Sequence, residues 1–169
     1  MSDPADPQRL TALLEALDAY RTTRRLLLDA MNLPASNRDP LAELSEHLVQ
    51  ALLGGELAAS RVQAHWDLTL PGGDTVQVKY LANPAGGWVN EHVVHPHADV
   101  AYYALVLFEA FTVTGVLVLP TARLSAVHAE LGKQHPRGEA ELQLTRRNWQ
   151  TIRDEPDRFR ALGVRIWRP

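Results

Sequence analysis

The sequence predicts an α/β fold in which a central mixed β-sheet is flanked by helices. Three patterns along the 169 residues lead to this prediction. Apolar residues recur at helical spacing over residues 7–52, alternate with polar residues over 61–81, and form two continuous runs within 101–119. Alternation is typical of a half-buried strand, and a continuous run is typical of a strand that is covered on both faces.

Two helices are expected before the sheet. The first covers residues 7–34 and is an extra N-terminal helix ahead of the core. The second begins at Pro40, because the preceding Asn37-Arg38-Asp39 offers an N-cap and proline suits the first helical position. Gly54-Gly55 ends this helix. Its apolar stripe is formed by Leu41, Leu44, Leu48 and Leu52.

The strands begin with a predicted hairpin. Residues 61–70 and 75–81 alternate in polarity on either side of the turn sequence Pro71-Gly72-Gly73-Asp74. The apolar runs over 101–108 and 113–119 are two buried strands. The rest of the chain is expected to form a helix over 121–131, a strand over 140–144, a helix over 147–152 and a strand over 164–167. The length is typical of a single domain.

Composition excludes several classes of protein. The chain is 46% hydrophobic and 22% charged, an ordinary balance for a folded domain, and it contains no cysteine, which excludes disulfides and thiolate metal sites. The acidic N-terminus lacks the basic and apolar regions of a signal peptide, so we expect a cytoplasmic protein. Glu109 and Gly115 interrupt the longest apolar run, so no membrane partner is expected.

Charge is unevenly distributed along the chain. Residues 1–132 hold 8 Lys/Arg against 15 Asp/Glu, a net charge of −7, whereas residues 133–169 hold 9 against 5, a net charge of +4. Such a distribution suits a protein that binds phosphate groups through its arginine-rich C-terminal residues and uses carboxylates in the rest of the chain for another purpose. A solvated helix whose arginines pair with neighbouring acidic residues explains the same charges.

Polar groups on the predicted hairpin form a candidate site. Gln77 and Lys79 are two residues apart and share a face of their strand, and Asp67 lies on the adjacent strand. Hydrolysis of a phosphodiester near neutral pH needs a divalent cation to activate water and a positive charge to stabilise the transition state. Asp67, the Gln77 amide and the Val78 carbonyl supply oxygens of the kind that Mg²⁺ prefers. Lys79 supplies the charge.

Two further features bear on this site. Glu46 lies on the second helix, on the side away from its leucines, and can reach the metal directly or through water; a solvated polar face is the alternative. In an antiparallel hairpin the residue numbers of every directly paired couple add to the same sum. Asp67 shares a face with Gln77 and Lys79 only if this sum is even, as when Leu70 pairs with Asp74 around a three-residue loop. We predict that register, or a bulge.

This combination of residues resembles the PD-(D/E)xK restriction-endonuclease-like nuclease superfamily. A helix glutamate, a strand aspartate, a turn and an acid-or-glutamine-x-lysine tripeptide follow one another in that order, and Gln77 corresponds to the QxK, Mrr-like variant. Residues 39–49 and 66–79 are also similar to the matching blocks of a family of small bacterial proteins with this expected fold. The resemblance covers roughly residues 8–120.

The resemblance implies a fold, an activity and a set of residues. It implies an αβββαβ core, with residues 38–120 as the catalytic part and the Arg-rich residues 121–169 as a C-terminal addition. It implies a Mg²⁺- or Mn²⁺-dependent DNA endonuclease of restriction or defence type. Cleavage of both strands needs two sites, so a homodimer is expected. The implied metal-site and catalytic residues are Glu46, Asp67, Gln77 and Lys79.

Two other interpretations of the function stay open. Gln77 provides one fewer negative charge than the usual carboxylate, and the body of the chain is acidic. Both features favour a catalytically inactive nuclease fold that binds DNA or serves in an assembly. The third interpretation is a small defence-associated protein that acts only with a partner.

Other polar residues have two interpretations each. Arg146 and Arg147 open the late helix, where they can hold a DNA phosphate or form ordinary helix-surface charge. His92, His95 and His97 cluster at a spacing that can bind Zn²⁺ or Ni²⁺, and a loop of solvent-facing histidines is the more common case.

Overall fold

The computed structural model describes residues 7–33, 40–59, 65–82, 92–95, 97–109, 112–132 and 142–169. The chain divides into two compact units, residues 1–44 and 45–169, with the boundary inside the second helix. The elements confirm a mixed α/β fold with a central mixed sheet and flanking helices. No helix within these ranges is long and apolar enough to cross a membrane.

The predicted N-terminal helix is present as α1, Pro7–Ala30. It ends in a Schellman motif, in which Asn32 adopts a positive φ of 58°. The N–H groups of Asn32 and Leu33 donate to the carbonyls of Asp29 and Leu28. These bonds satisfy carbonyls that a helix end otherwise leaves unpaired.

The strands within the described ranges fall into two sheets. They are β1 Glu56–Leu57, β2 Leu68–Thr69, β3 Thr75–Leu81, β4 His92–Val94, β5 Tyr102–Glu109, β6 Thr112–Pro120, β7 Leu142–Leu144 and β8 Arg165–Trp167. The larger sheet has the order β1-β2-β3-β5-β6-β8, and β4 pairs with β7. β3 and β5 are parallel, and the other neighbours are antiparallel.

Some elements differ from the sequence-based expectation. The strand predicted over 61–70 is short: residues 60–64 lie outside the described ranges, and only Leu68–Thr69 of the remainder is strand. β1 and a helix at Pro156–Arg160 were not predicted. The described part of the connection from β3 to β5 holds β4 and a turn, and residues 83–91 of this connection lie outside the described ranges.

Helices cover both faces of the larger sheet. A short 3₁₀ turn, Thr121–Arg123, leads into α3 Leu124–Glu130, and α4 Arg146–Asp154 and α5 Pro156–Arg160 follow β7. The core on their side includes Leu105, Leu117, Trp149, Ile152 and Phe159. Helix α2, Pro40–Leu53, begins and ends as predicted. It lies over the opposite face, where Val49, Leu52 and Leu53 line a groove of about 230 Å³ with Val116, Val118 and Trp167.

The burial of α2 corrects the expectation for Glu46. The leucine stripe of this helix is only half-buried, whereas Ser45, Glu46 and Val49 are at most 7% exposed. α2 meets the sheet through Val49, and Glu46 lies one turn earlier on the same side. The interpretation of Glu46 as part of a solvated polar face is therefore wrong.

Candidate functional site

The β2–β3 hairpin has the register that a shared site requires. Leu68 pairs with Val76, so the numbers of paired residues add to an even sum. The Leu70 N–H donates to the Asp74 carbonyl at 2.8 Å, which leaves a three-residue loop between them. Gly73 in this loop has a φ of 89°, a conformation that favours glycine. The predicted register and loop are confirmed.

Asp67 contacts β3 through both its backbone and its side chain. Its N–H donates to the Val76 carbonyl at 2.9 Å, and its carboxylate Oδ2 accepts a hydrogen bond of 2.7 Å from the Val78 N–H. The N–H and C=O groups of one strand residue point to the same edge, so the Val78 carbonyl faces the side on which the Asp67 carboxylate lies. Two oxygen atoms, one from the Asp67 carboxylate and one from the Val78 carbonyl, are thus brought to one edge of β3.

Gln77 and Lys79 project from one face of β3. In the parallel pairing with β5, Gln77 is opposite Tyr103 and Lys79 is opposite Leu105, and paired residues share a face. Gln77 is half-buried, whereas Lys79 is exposed. The Lys79 ammonium is therefore open to a ligand that arrives from solvent.

Asp67 and Lys79 both act on a pair of side chains that contact each other, His92 and Tyr103. The His92 Nε2 and the Tyr103 hydroxyl lie 2.7 Å apart. Burial and, secondly, the Asp67 charge raise the pKa of Tyr103. Burial, then Lys79 and then His95, lower the pKa of His92. The charges of Asp67 and Lys79 therefore affect the pKa values of two side chains that contact each other.

Glu46 belongs to the helix on the other face of the sheet. α2 covers the face that bears Val116 and Val118, and the strand pairings put Gln77 on the opposite face. The Asp67 carboxylate is bonded to a strand N–H and so lies near the plane of the sheet. A buried glutamate is rare unless it is paired or functional.

Arg146 and Arg147 open α4, as predicted. The Arg146 Nε lies 3.4 Å from the Glu109 carboxylate at the end of β5, and Arg147 is exposed. The β4–β7 pairing places His92 opposite Leu144, two residues before α4 begins. The start of α4 therefore lies near the end of β4 that carries His92.

The clustered histidines have separate environments. His92 lies against the tyrosine described above, and His95 is exposed. His97 stacks on His65 with ring centroids 4.7 Å apart, and the His65 Nδ1 is 3.1 Å from the Asp99 carboxylate. Within the described part of the chain, no group of three or more His, Asp and Glu residues could hold a metal ion. The zinc or nickel interpretation gains no support there.

The hairpin offers a different kind of donor set. The Asp67 carboxylate and the Val78 carbonyl lie at one edge of β3, Gln77 stands on one face of that strand, and Glu46 is buried on α2 over the opposite face of the sheet. Mg²⁺ is usually held by one or two carboxylates and keeps several waters, so a site of this kind does not need three acidic groups. Carboxylate, carbonyl and amide oxygens are the kind of donor that Mg²⁺ and Mn²⁺ prefer.

Sequence reasoning missed Tyr103, and it considered His92 only as a candidate Zn²⁺ or Ni²⁺ ligand. Tyr103 lies in an apolar run that predicts a buried strand, and only the long-range parallel pairing of β5 with β3 brings it beside Gln77. The available signal was its polar hydroxyl within an otherwise apolar run, because a buried tyrosine hydroxyl usually finds a partner.

No protein-family model matches the chain, and no curated protein matches it. The resemblance to PD-(D/E)xK nucleases stays a prediction from the motif residues.

Proposed function

We propose that the chain is a Mg²⁺- or Mn²⁺-dependent DNA endonuclease with a restriction-endonuclease-like core. The observation that carries this proposal is the Asp67 carboxylate 2.7 Å from the Val78 N–H, at the centre of the Gln77-Val78-Lys79 tripeptide. A carboxylate and a strand carbonyl at one edge of β3, with an amide and an ammonium group on one face of the same strand, suit metal-assisted hydrolysis of a phosphodiester.

The cation ligands are assigned from this donor set. Asp67, the Val78 carbonyl and the Gln77 amide oxygen would hold the cation, and Glu46 would add a carboxylate from α2. A bound Mg²⁺ would supply polarisation of a phosphoryl oxygen and a lower pKa for a bound water. The absence of nitrogen and sulfur ligands in this set favours a hard cation.

The basic residues have roles in binding and charge stabilisation. The exposed Lys79 ammonium can meet a phosphate oxygen and neutralise the negative charge that develops during hydrolysis. Arg146 and Arg147 would contact flanking phosphates of DNA from the start of α4. Two copies of the chain in a homodimer would cut both strands, and we place this activity in the cytoplasm.

Conversion of supercoiled plasmid to nicked circles tests this function. Purified protein is incubated with plasmid and either Mg²⁺, Mn²⁺ or a chelator. We expect nicking that requires the cation and is lost in Asp67→Asn and Lys79→Ala. The exposed residues Asp74 and Arg123 provide matched charge controls, and Asp74→Asn and Arg123→Ala should nick as the wild type does.

The result that contradicts the function is equally specific. Absence of nicking by the wild type in both cations, or nicking by Asp67→Asn at the wild-type rate, would rule out this site as a nuclease centre.

A non-catalytic DNA-binding module is the second candidate. One observation favours it: the Asp67 carboxylate satisfies the Val78 N–H, which is a structural role that requires no metal. Such a module would bind DNA equally well with cation or chelator, and Asp67→Asn would leave that binding unchanged. Filter binding or fluorescence anisotropy under both conditions separates the two candidates.

A further inference from the structure

The groove between α2 and the edge of the larger sheet has walls that are almost entirely apolar. Its volume is about 230 Å³, and its apolar walls include Leu52 and Leu53 of α2, Val116 and Val118 of β6 and Trp167 of β8. Among the described residues that line it, Arg165 is the one that is charged. The strand pairings put Gln77 and Lys79 on the opposite face of the sheet. This groove is therefore separate from the proposed nuclease site.

Arg165 lies at the opening of this groove, and an aromatic ring holds its guanidinium group. The residue is exposed, and its Cζ atom is 5.4 Å from the centre of the Tyr102 ring. A guanidinium group at this distance is attracted to the face of the ring. Arg165 forms no ion pair with a carboxylate in the part of the chain that the structure describes. The ring thus orients a cation whose N–H donors are available to an anion from solvent.

The charge of Arg165 and the apolar walls together define the chemistry of a ligand. The planar fork of N–H donors on a guanidinium group matches the two oxygens of a carboxylate. Apolar walls favour a ligand with a hydrocarbon body, and small-molecule sites commonly combine such walls with a few polar groups that orient the ligand. Both features are satisfied by an amphipathic carboxylic acid in its ionised form.

The volume of the groove sets the size of that ligand. An apolar cavity of about 150 Å³ accommodates benzene. The volume of about 230 Å³ therefore suits one ring with a short carbon chain. Trp167 is half-buried in the wall, and its indole offers an aromatic surface against which such a ring can pack.

We propose that this groove binds a small amphipathic carboxylate, whose hydrocarbon body packs against Leu52, Val116 and Trp167 and whose carboxylate pairs with Arg165. The site goes beyond the proposed function. It lies on the other face of the sheet and needs no divalent cation, so its binding is measured independently of nuclease activity.

Titration of the ¹⁵N-labelled full chain with 3-phenylpropionate, followed by NMR, tests the proposal. The indole N–H signal of Trp167, identified by its absence in Trp167→Phe, is expected to shift and saturate. Two control compounds each lack one half of the ligand: 3-phenylpropanamide has no charge, and acetate has almost no hydrocarbon body. Both are expected to bind at least about tenfold more weakly. Absence of a saturable shift with 3-phenylpropionate, or equal binding of the amide, would overturn the proposal.

Arg165→Gln and Arg168→Gln form a matched pair of variants. Both side chains are exposed, and only Arg165 lines the groove. Arg165→Gln is expected to weaken the binding of 3-phenylpropionate by about tenfold or more, whereas Arg168→Gln is expected to change it by less than about twofold. Equal effects of the two substitutions would mean that general positive charge attracts the ligand, and would overturn the role of Arg165.

Two other occupants of the groove give distinct results in the same experiments. A Trp167 signal that shifts with protein concentration in the absence of ligand, together with a dimer in sedimentation equilibrium that 3-phenylpropionate dissociates, would show that a second copy of the chain covers the groove. Inorganic phosphate that shifts the Trp167 signal at the same concentration as 3-phenylpropionate would show that Arg165 binds phosphate without help from the apolar walls. Either result would overturn the proposal.

Discussion

The Asp67 carboxylate accepts a hydrogen bond of 2.7 Å from the Val78 N–H. β2 begins only at Leu68, so the side chain of Asp67, rather than a strand partner, satisfies this N–H group. The proposed metal ligand therefore also completes the backbone of the strand that carries Gln77 and Lys79. Its two roles can be separated, because an amide keeps the acceptor oxygen and loses the negative charge.

Asp67→Asn and Asp67→Ala are expected to have different effects on the free energy of unfolding but the same effect on Mn²⁺ binding. Asp67→Asn keeps an acceptor for the Val78 N–H, so the free energy of unfolding should fall by less than about 1 kcal/mol, whereas Asp67→Ala removes it and should cost about 1–3 kcal/mol. Both should lose Mn²⁺ binding. Urea denaturation measures the first effect and calorimetry the second. Equal destabilisation by the two variants would contradict the structural role of the carboxylate.

Lys79→Ala is expected to reduce activity without affecting stability. The side chain is exposed, so the free energy of unfolding should change by no more than about 0.5 kcal/mol. Loss of a charge that stabilises the transition state should slow plasmid nicking by about 100-fold or more. Arg123→Ala, which removes another exposed cation, is the control. A similar loss of activity in both variants would point to general attraction of DNA instead.

Stability is expected to fall at acidic pH in part through His92. Burial, Lys79 and His95 lower its pKa from the value of 6.5 expected in the unfolded chain. The unfolded chain therefore binds this proton more readily, and the stability present above pH 6.5 is lost as the pH falls toward the lower pKa of the folded state. Urea denaturation near pH 7.5 and 5.5 should show a smaller loss for His92→Gln than for wild type. Equal losses would contradict the environment given for His92.

Gly115 is expected to be intolerant of a side chain. A Cβ there would lie 2.6 Å from the Cη2 and Cζ2 atoms of Trp149 on α4. Gly115→Ala should therefore cost about 1–3 kcal/mol of stability and change the near-ultraviolet circular dichroism of Trp149. Gly72→Ala is the control, since nothing lies within 4 Å of a Cβ at that position. An unchanged spectrum and stability in Gly115→Ala would contradict the packing of α4 on β6.

The sequence predicts the part of the site that depends on contacts between residues close together in the chain. The Pro71-Gly72-Gly73 loop determines the β2–β3 register within a few residues, and the register in turn determines that Asp67 faces the Gln77-Val78-Lys79 strand. The buried strands β5 and β6 were predictable for a similar reason, because continuous apolar runs reflect coverage on both faces.

The part that sequence does not predict depends on distant pairing. Nothing near Tyr103 indicates that it will stand beside Gln77, since their contact arises from the parallel pairing of β5 with β3. Leucine spacing suggested the wrong buried side of α2, because the sheet packs against the side that carries Val49 and Glu46. The position of Tyr103 and the buried side of α2 are both determined by tertiary packing and not by the residues next to them in the sequence.

Anomalous diffraction from crystals soaked in Mn²⁺ tests most directly whether Asp67 and the Val78 peptide form a cation site. We expect an anomalous peak beside the Asp67 carboxylate and the Val78 carbonyl oxygen in the wild type, and none there in Asp67→Asn crystals treated in the same way. Wild-type crystals without a peak at this position, or Asp67→Asn crystals with the same peak, would contradict the assignment.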